Sequence, residues 1–165
     1  MERGQSGSFL IRSAERGDVP EVLAMIRELA SYERLAHRVV GDEQQLERSL
    51  FELGAAEALI AEVDGEAVGY AIYFTTFSTF LCRPGLWCED IFVRPPWRGS
   101  GIGRALFAAV ARVAADRGYE RLDWSVLDWN EPAISFYNGL GAIQMSDWQT
   151  MRLEGDRLRR VAAGG

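Results

Sequence analysis

The chain has 165 residues, of which 48% are apolar and 25% charged, with a formal net charge of −6 and a pI near 4.9. That length makes one domain with a sizeable core. The acidic balance argues against a nucleic-acid partner, whose phosphates call for a basic face, and suits a cationic substrate. The longest apolar stretch, Ala105 to Ala115, is interrupted by Arg112, so no membrane span is predicted. Residues 1–8 lack the apolar segment of a signal peptide and read as a disordered leader, which makes the cytoplasm the expected location.

Phe9 to Arg12 reads as a short strand. Gly17-Asp18-Val19-Pro20-Glu21 opens a helix: Asp18 has the N-cap chemistry, Pro20 fits the first turn, and Glu21 completes a capping box. Val22, Ile26 and Leu29 carry that helix at 3.6-residue spacing to about Tyr32. A second helix is predicted over Glu43 to Leu53, with Leu46, Leu50 and Leu53 on one face. Three strands follow as an antiparallel meander, Ala58–Val63, Val68–Phe77 and Leu86–Val93, joined by Asp64-Gly65 and Arg83-Pro84-Gly85 turns. Cys82 and Cys88 flank the second turn, match neither a disulfide framework nor a zinc spacing, and are expected reduced. Pro95 and Pro96 end the ladder because neither can donate to it.

The second half predicts a helix from Gly103 to Arg117, a strand over Arg121–Leu127 and a helix from Asn130 to Leu140. One or two strands are predicted within Ile143–Leu153, then a solvated basic tail over 156–165. The order β-α-α-β-β-β-α-β-α-β is that of a mixed α/β domain spanning 9–155, with a mostly antiparallel twisted sheet flanked by helices.

The chemistry concentrates in Arg98-Gly99-Ser100-Gly101-Ile102-Gly103, which follows a strand and opens a helix. Three glycines at alternate positions leave backbone N–H groups uncovered at the positive end of a helix, a cradle for a diphosphate. Arg98 can add charge to the same oxygens. A P-loop would need Lys followed by Ser or Thr where Arg104-Ala105 stand, and a dinucleotide fingerprint would need Gly at Arg104 or Leu106. His37 is the only histidine, so a Ser-His-Asp or Cys-His triad has no supply, and with no Cys/His cluster no metal is expected.

Arg-Gly-x-Gly-Ile-Gly after a strand and a Pro-rich bend resembles the acetyl-CoA pyrophosphate loop of the GNAT N-acetyltransferases, and the element order over 9–153 is similar to that fold. Further segments resemble the diamine branch, which holds spermidine/spermine and thialysine N-acetyltransferases: Arg27 to Glu33, Glu89 to Val93, and Val126-Leu127-Asp128-Trp129-Asn130-Glu131-Pro132 leading to Phe136-Tyr137. The resemblance implies acetyl-CoA as cosubstrate, bound by the backbone of Ile91, Phe92 and Val93, by Arg98, Gly99, Ser100, Gly101, Ile102 and Gly103, and by Asn130. It implies a small amine acceptor (a polyamine or a lysine-like amine) held by Tyr32, Glu33, Glu89, Asp123, Trp124 and Ser125, and a homodimer.

Acetyl transfer requires loss of a proton from an ammonium of pKa about 10, so a base is needed. Glu89 is the candidate base, with cation binding alone as its rival role; the resemblance implies Tyr137 as the acid for the leaving sulfur, whereas its place between Phe136 and Leu140 by itself favours core packing. Asp90, on the opposite face of a regular strand, reads as a structural hydrogen-bond partner. Where the diamine enzymes carry a further acidic residue past Gly141-Ala142, this chain has Ser146 beside Asp147, which weakens the polyamine assignment. Competing readings are a non-catalytic acyl-CoA-binding module and an acetyltransferase for protein N-termini.

Overall fold

The computed structural model describes residues 8–164, so the leader expected over 1–8 lies outside the described residues apart from Ser8. The chain divides into two compact units, one ending at Ser125 and the other beginning at Val126.

The first unit is built on a five-stranded sheet in the order β1 (Phe9–Ser13), β2 (Glu57–Val63), β3 (Glu66–Ser78), β4 (Arg83–Val93) and β5 (Leu122–Trp124). The first four strands form the antiparallel meander that closely spaced turn signals predict, and β5 joins β4 in parallel after a crossover through α3 (Ile102–Asp116). Helices cover both faces, so β2 and β3 are buried almost continuously rather than at alternate positions. On one face α3 buries Leu106 and Val110 against Leu59, Ala71, Leu86 and Cys88. On the other, Val22 and Met25 of α1 (Val19–Tyr32) and Leu46 and Leu50 of α2 (Glu43–Phe51) meet Ile60, Tyr70 and Phe92. Fully buried side chains of this size stabilise the fold by about 1.5–3 kcal/mol each. Gly69 lets β3 and β4 approach at their most crowded point: a Cβ there would lie 2.8 Å from the Phe92 carbonyl oxygen and 3.4 Å from Leu106.

Asp18 departs from its expected role. It stands at the N-cap of α1 but in αR conformation, with no side-chain cap. Its carboxylate instead takes two hydrogen bonds from Arg12 in β1, at 2.7 and 2.8 Å, and the Glu15 N–H at 2.7 Å. A bidentate guanidinium outcompetes a neutral backbone donor and lowers the acid from its ordinary value. Glu21, expected to close a capping box, reaches Arg94. On α2 the Asp42–Gln45 capping box forms, but the helix stops at Phe51 and Leu53 is exposed.

In the second unit, α4 (Glu131–Gly139) begins where predicted and α5 (Gly155–Ala162) falls where a solvated tail is expected. The strands predicted within Ile143–Leu153 do not form. Ile143, Met145 and Met151 are exposed there, and an alternating pattern without a ladder partner does not make a strand.

Candidate active site

Pairing between β4 and β5 ends at Cys88 opposite Trp124, while β4 runs on to Val93. Glu89 sits at that parting, and it is the extra residue of a β-bulge: Ile72 faces Asp90, the next residue, Tyr73, faces Cys88, and nothing faces Glu89. The bulge flips the alternation of β4. Before it Leu86 and Cys88 face α3; after it Ile91 and Val93 do, and Phe92 faces α1. Asp90 therefore sits on the Tyr70 side of the sheet and accepts the Tyr70 hydroxyl at 3.1 Å. Its predicted role as a hydrogen-bond partner stands, but the regular strand on which its placement rested is broken. Glu89 turns back to accept the Trp87 indole N–H at 2.8 Å. Trp87 lies between Leu86 and Cys88 and points away from α3. The two carboxylates thus gather on one side of the sheet rather than on opposite faces.

Electrostatics follow from that gathering. Burial pushes the Asp90 carboxyl up to about 6, the Tyr70 hydrogen bond opposes this, and the neighbouring Glu89 and Glu33 carboxylates add to it. Burial also raises Glu33, at the end of α1. Tyr70 is raised well above its ordinary value by burial and then by Asp90. Cys88 is pushed up to about 12 by burial and by the two acids, so this thiol stays protonated, and it is not joined to Cys82.

After β4, Arg94 ties the chain to α1, donating to Glu28 at 3.1 Å, Glu21 at 2.9 Å and the Ala67 carbonyl at 2.9 Å. A short turn over Pro95–Trp97 delivers the glycine loop to α3. Gly99 and Gly101 take φ of 78° and 87°, where a side chain is strained, and a Cβ on either would project into open space. Gly101 is the N-cap of α3 and offers no side-chain cap, so the first N–H groups of that helix keep their donors for an outside acceptor. Gly103 already lies inside α3, where a Cβ would make ordinary contact 3.8 Å from Val93. Ser100 donates to the Trp97 carbonyl at 2.5 Å, and Ile102 is buried beneath the loop. An open, donor-lined cradle at a helix N-terminus fits a diphosphate.

Arg98 does not simply extend into this cradle. Its Nε donates to the Val93 carbonyl at 2.8 Å, and its guanidinium carbon lies 5.2 Å from the Tyr32 ring centroid and 5.4 Å from that of Phe92. The first unit therefore brings together Tyr32, Glu33, Glu89, Asp90 to Val93 and the loop 98–103. On β5, Asp123 pairs with Arg121 at 2.7 Å. Half-buried Trp124 packs edge-on against Phe107 of α3 at 4.9 Å. In the second unit, Asn130 caps α4 by accepting the Ala133 N–H at 3.4 Å, and half-buried Tyr137 lies edge-on to Phe136 at 5.2 Å. A groove of about 560 Å³ where the start of α1 meets α2 contains none of these residues.

Trp87 and Tyr70 escape the sequence reading because each acts on a carboxylate through the pleat. The only signal available was their aromatic character in strands otherwise read as core.

Residues 23–142 match the acetyltransferase (GNAT) family. The thialysine N-epsilon-acetyltransferase of Sus scrofa is 40% identical over 94% of this chain and 98% of its own length. An L-ornithine N5-acetyltransferase of Arabidopsis thaliana is 30% identical over 92% of this chain and 86% of its own. Among solved structures, an integron cassette protein from the mobile metagenome of V. cholerae superposes with a TM-score of 0.78 at 26% identity, covering 94% of this chain and 98% of that one. With the bulged, carboxylate-bearing strand beside a diphosphate cradle, these likenesses make the chain a member of the GNAT family of acetyltransferases, and an acyltransferase enzyme.

Proposed function

We propose that the protein transfers acetyl from acetyl-CoA to a primary amine of a small cationic, lysine-like acceptor such as thialysine, by direct attack in a ternary complex. The observation that carries the reading is the bulge at Glu89, which gathers carboxylates at the parting of β4 and β5 on the same sheet that leads into the glycine cradle. The 40% identity to a thialysine enzyme supports the acceptor class.

In this reading Arg98 and the N–H groups of Gly99 to Gly103 hold the diphosphate, and the backbone of Ile91, Phe92 and Val93, with Asn130, holds the pantetheine arm. Tyr32, Glu33 and Glu89 attract the acceptor cation, and Asp123, Trp124 and Ser125 at the end of β5 complete its surroundings. Glu89 removes a proton from the ammonium, directly or through a water. The freed nitrogen attacks the thioester carbon while backbone N–H groups of 91–93 stabilise the oxyanion. The C–N bond forms, the C–S bond breaks, the Tyr137 hydroxyl gives its proton to the departing thiolate, and the second proton of the attacking nitrogen, lost as the amide forms, restores the phenol. The proposal includes a homodimer, checked by light scattering on the eluting protein, and a cytoplasmic location.

The test follows release of free CoA with thialysine, lysine, ornithine, putrescine, spermidine or no amine, at about pH 8, where a useful fraction of amine is deprotonated. Exposed Cys82 sets a thiol background to subtract. Strong stimulation by the lysine-like amines is expected, with Tyr137→Phe lowering kcat by about 10²–10⁴. CoA binding without stimulation by any amine would overturn the small-amine reading in favour of a peptide acceptor or a non-catalytic binding module.

A further inference from the structure

Resting on that reading, we propose that Arg98 is a positioning residue that couples the CoA cradle to the acceptor side of the site through Tyr32. One guanidinium makes two kinds of contact at once. Its Nε is anchored on the Val93 carbonyl, the last residue of β4, and its guanidinium carbon lies 5.2 Å from the ring centroid of Tyr32 and 5.4 Å from that of Phe92. Phe92 is buried and fixed by the sheet, whereas Tyr32 is 42% exposed at the last turn of α1, immediately before Glu33. The immobile partner and the Nε bond set the plane of the guanidinium, and that plane sets the ring of Tyr32. Arg98 is also the first residue of the glycine loop, so a diphosphate in the cradle is met by Nη donors of a group that already holds Tyr32.

The consequence is linkage. A ligand that orders the guanidinium from the phosphate side orders the Tyr32 ring as well. The ring in turn holds the guanidinium in place before CoA arrives, so removing it leaves CoA binding to bear the cost of ordering Arg98, and CoA affinity falls even with no acceptor present. A purely acceptor-binding tyrosine would not do this. A guanidinium–ring contact at a partly exposed site supports an effect of about threefold to fivefold. Lysine at 98 keeps the charge but has neither the Nε geometry nor the flat face.

The experiment measures CoA dissociation constants by calorimetry without amine, for wild type, Tyr32→Phe, Tyr32→Ala, Arg98→Lys and Tyr32→Ala/Arg98→Lys. Tyr32→Ala is expected to bind CoA about threefold to fivefold more weakly than wild type, and Tyr32→Phe, which keeps the ring, to recover most of that loss. The double variant is expected to be no weaker than Arg98→Lys alone, because both changes break one contact. Thermal melts identify any variant that is misfolded, and the comparison then rests on the remaining ones. Unchanged CoA affinity in Tyr32→Ala, or additive losses in the double variant, would overturn the coupling. Either result leaves acetyl transfer itself untouched, whereas absence of CoA binding by wild type would instead refute the transfer reading.

Discussion

Asp90 shows how far one residue's chemistry departs from its type. Its carboxyl is pushed up to about 6 by burial, the Glu89 and Glu33 carboxylates add to the shift, and the Tyr70 hydroxyl recovers only part of the cost. In the unfolded chain the same group loses its proton near pH 4. Between those values the folded state binds more protons, so stability falls as pH rises through this window, by up to about 3 kcal/mol. Asp90→Asn removes the titration and keeps an acceptor for Tyr70. Denaturant melts should show the variant gaining on wild type by about 2–3 kcal/mol between pH 4 and pH 7. A difference that stays flat across that range would mean that Asp90 titrates like a solvated acid. The residue type and the strand were legible in the sequence. The pKa was not, since it depends on what Tyr70, Glu33 and Glu89 do around it.

At the scale of elements, α3 and its loop were the clearest signal in the chain. Glycines that need positive φ, placed between a strand and a 3.6-residue apolar stripe, specify a local geometry that the tertiary fold has little freedom to change. The structure separates the glycines, however. Gly101 needs its left-handed φ, whereas Gly103 is an ordinary helical residue with room for a methyl group. Gly101→Ala should therefore lower stability by roughly 1–2 kcal/mol. It should also weaken CoA binding, because the added Cβ projects into the cradle. Gly103→Ala should leave the melting temperature unchanged or raised, since alanine is the better helix former by about 1 kcal/mol. Equal losses of stability in both variants would contradict this division. The bulge in β4 was hidden for the opposite reason. Alternation along one strand cannot report a register shift, because a bulge belongs to the ladder between Ile72-Tyr73 and Cys88-Asp90 and not to either strand alone.

For the molecule as a whole, the net charge of −6 and the carboxylates gathered at Glu33, Glu89 and Asp90 create a field that favours cationic acceptors. Raising salt from about 0.02 to about 0.3 M should lower kcat/KM for a dicationic amine by up to about tenfold, with kcat little changed, and should act less on a monocation. A salt-independent kcat/KM would show that contact geometry alone selects the acceptor.

The sequence by itself determined the α/β order, the meander, the glycine cradle before α3 and the Asn130 cap of α4. Each is written in a few adjacent residues as a turn, a cap or a periodicity. Only the tertiary structure decided that Asp18 serves Arg12 rather than its helix, that Glu89 and Asp90 share one side of β4, that Trp124 packs on Phe107, and that Arg98 reaches Tyr32. It also left Ile143–Leu153 without the predicted strands. These outcomes depend on partners 6 to 66 residues away along the chain, as for Arg12 with Asp18 and Arg98 with Tyr32. Competition among such partners is settled by packing and charge, which a local pattern does not encode.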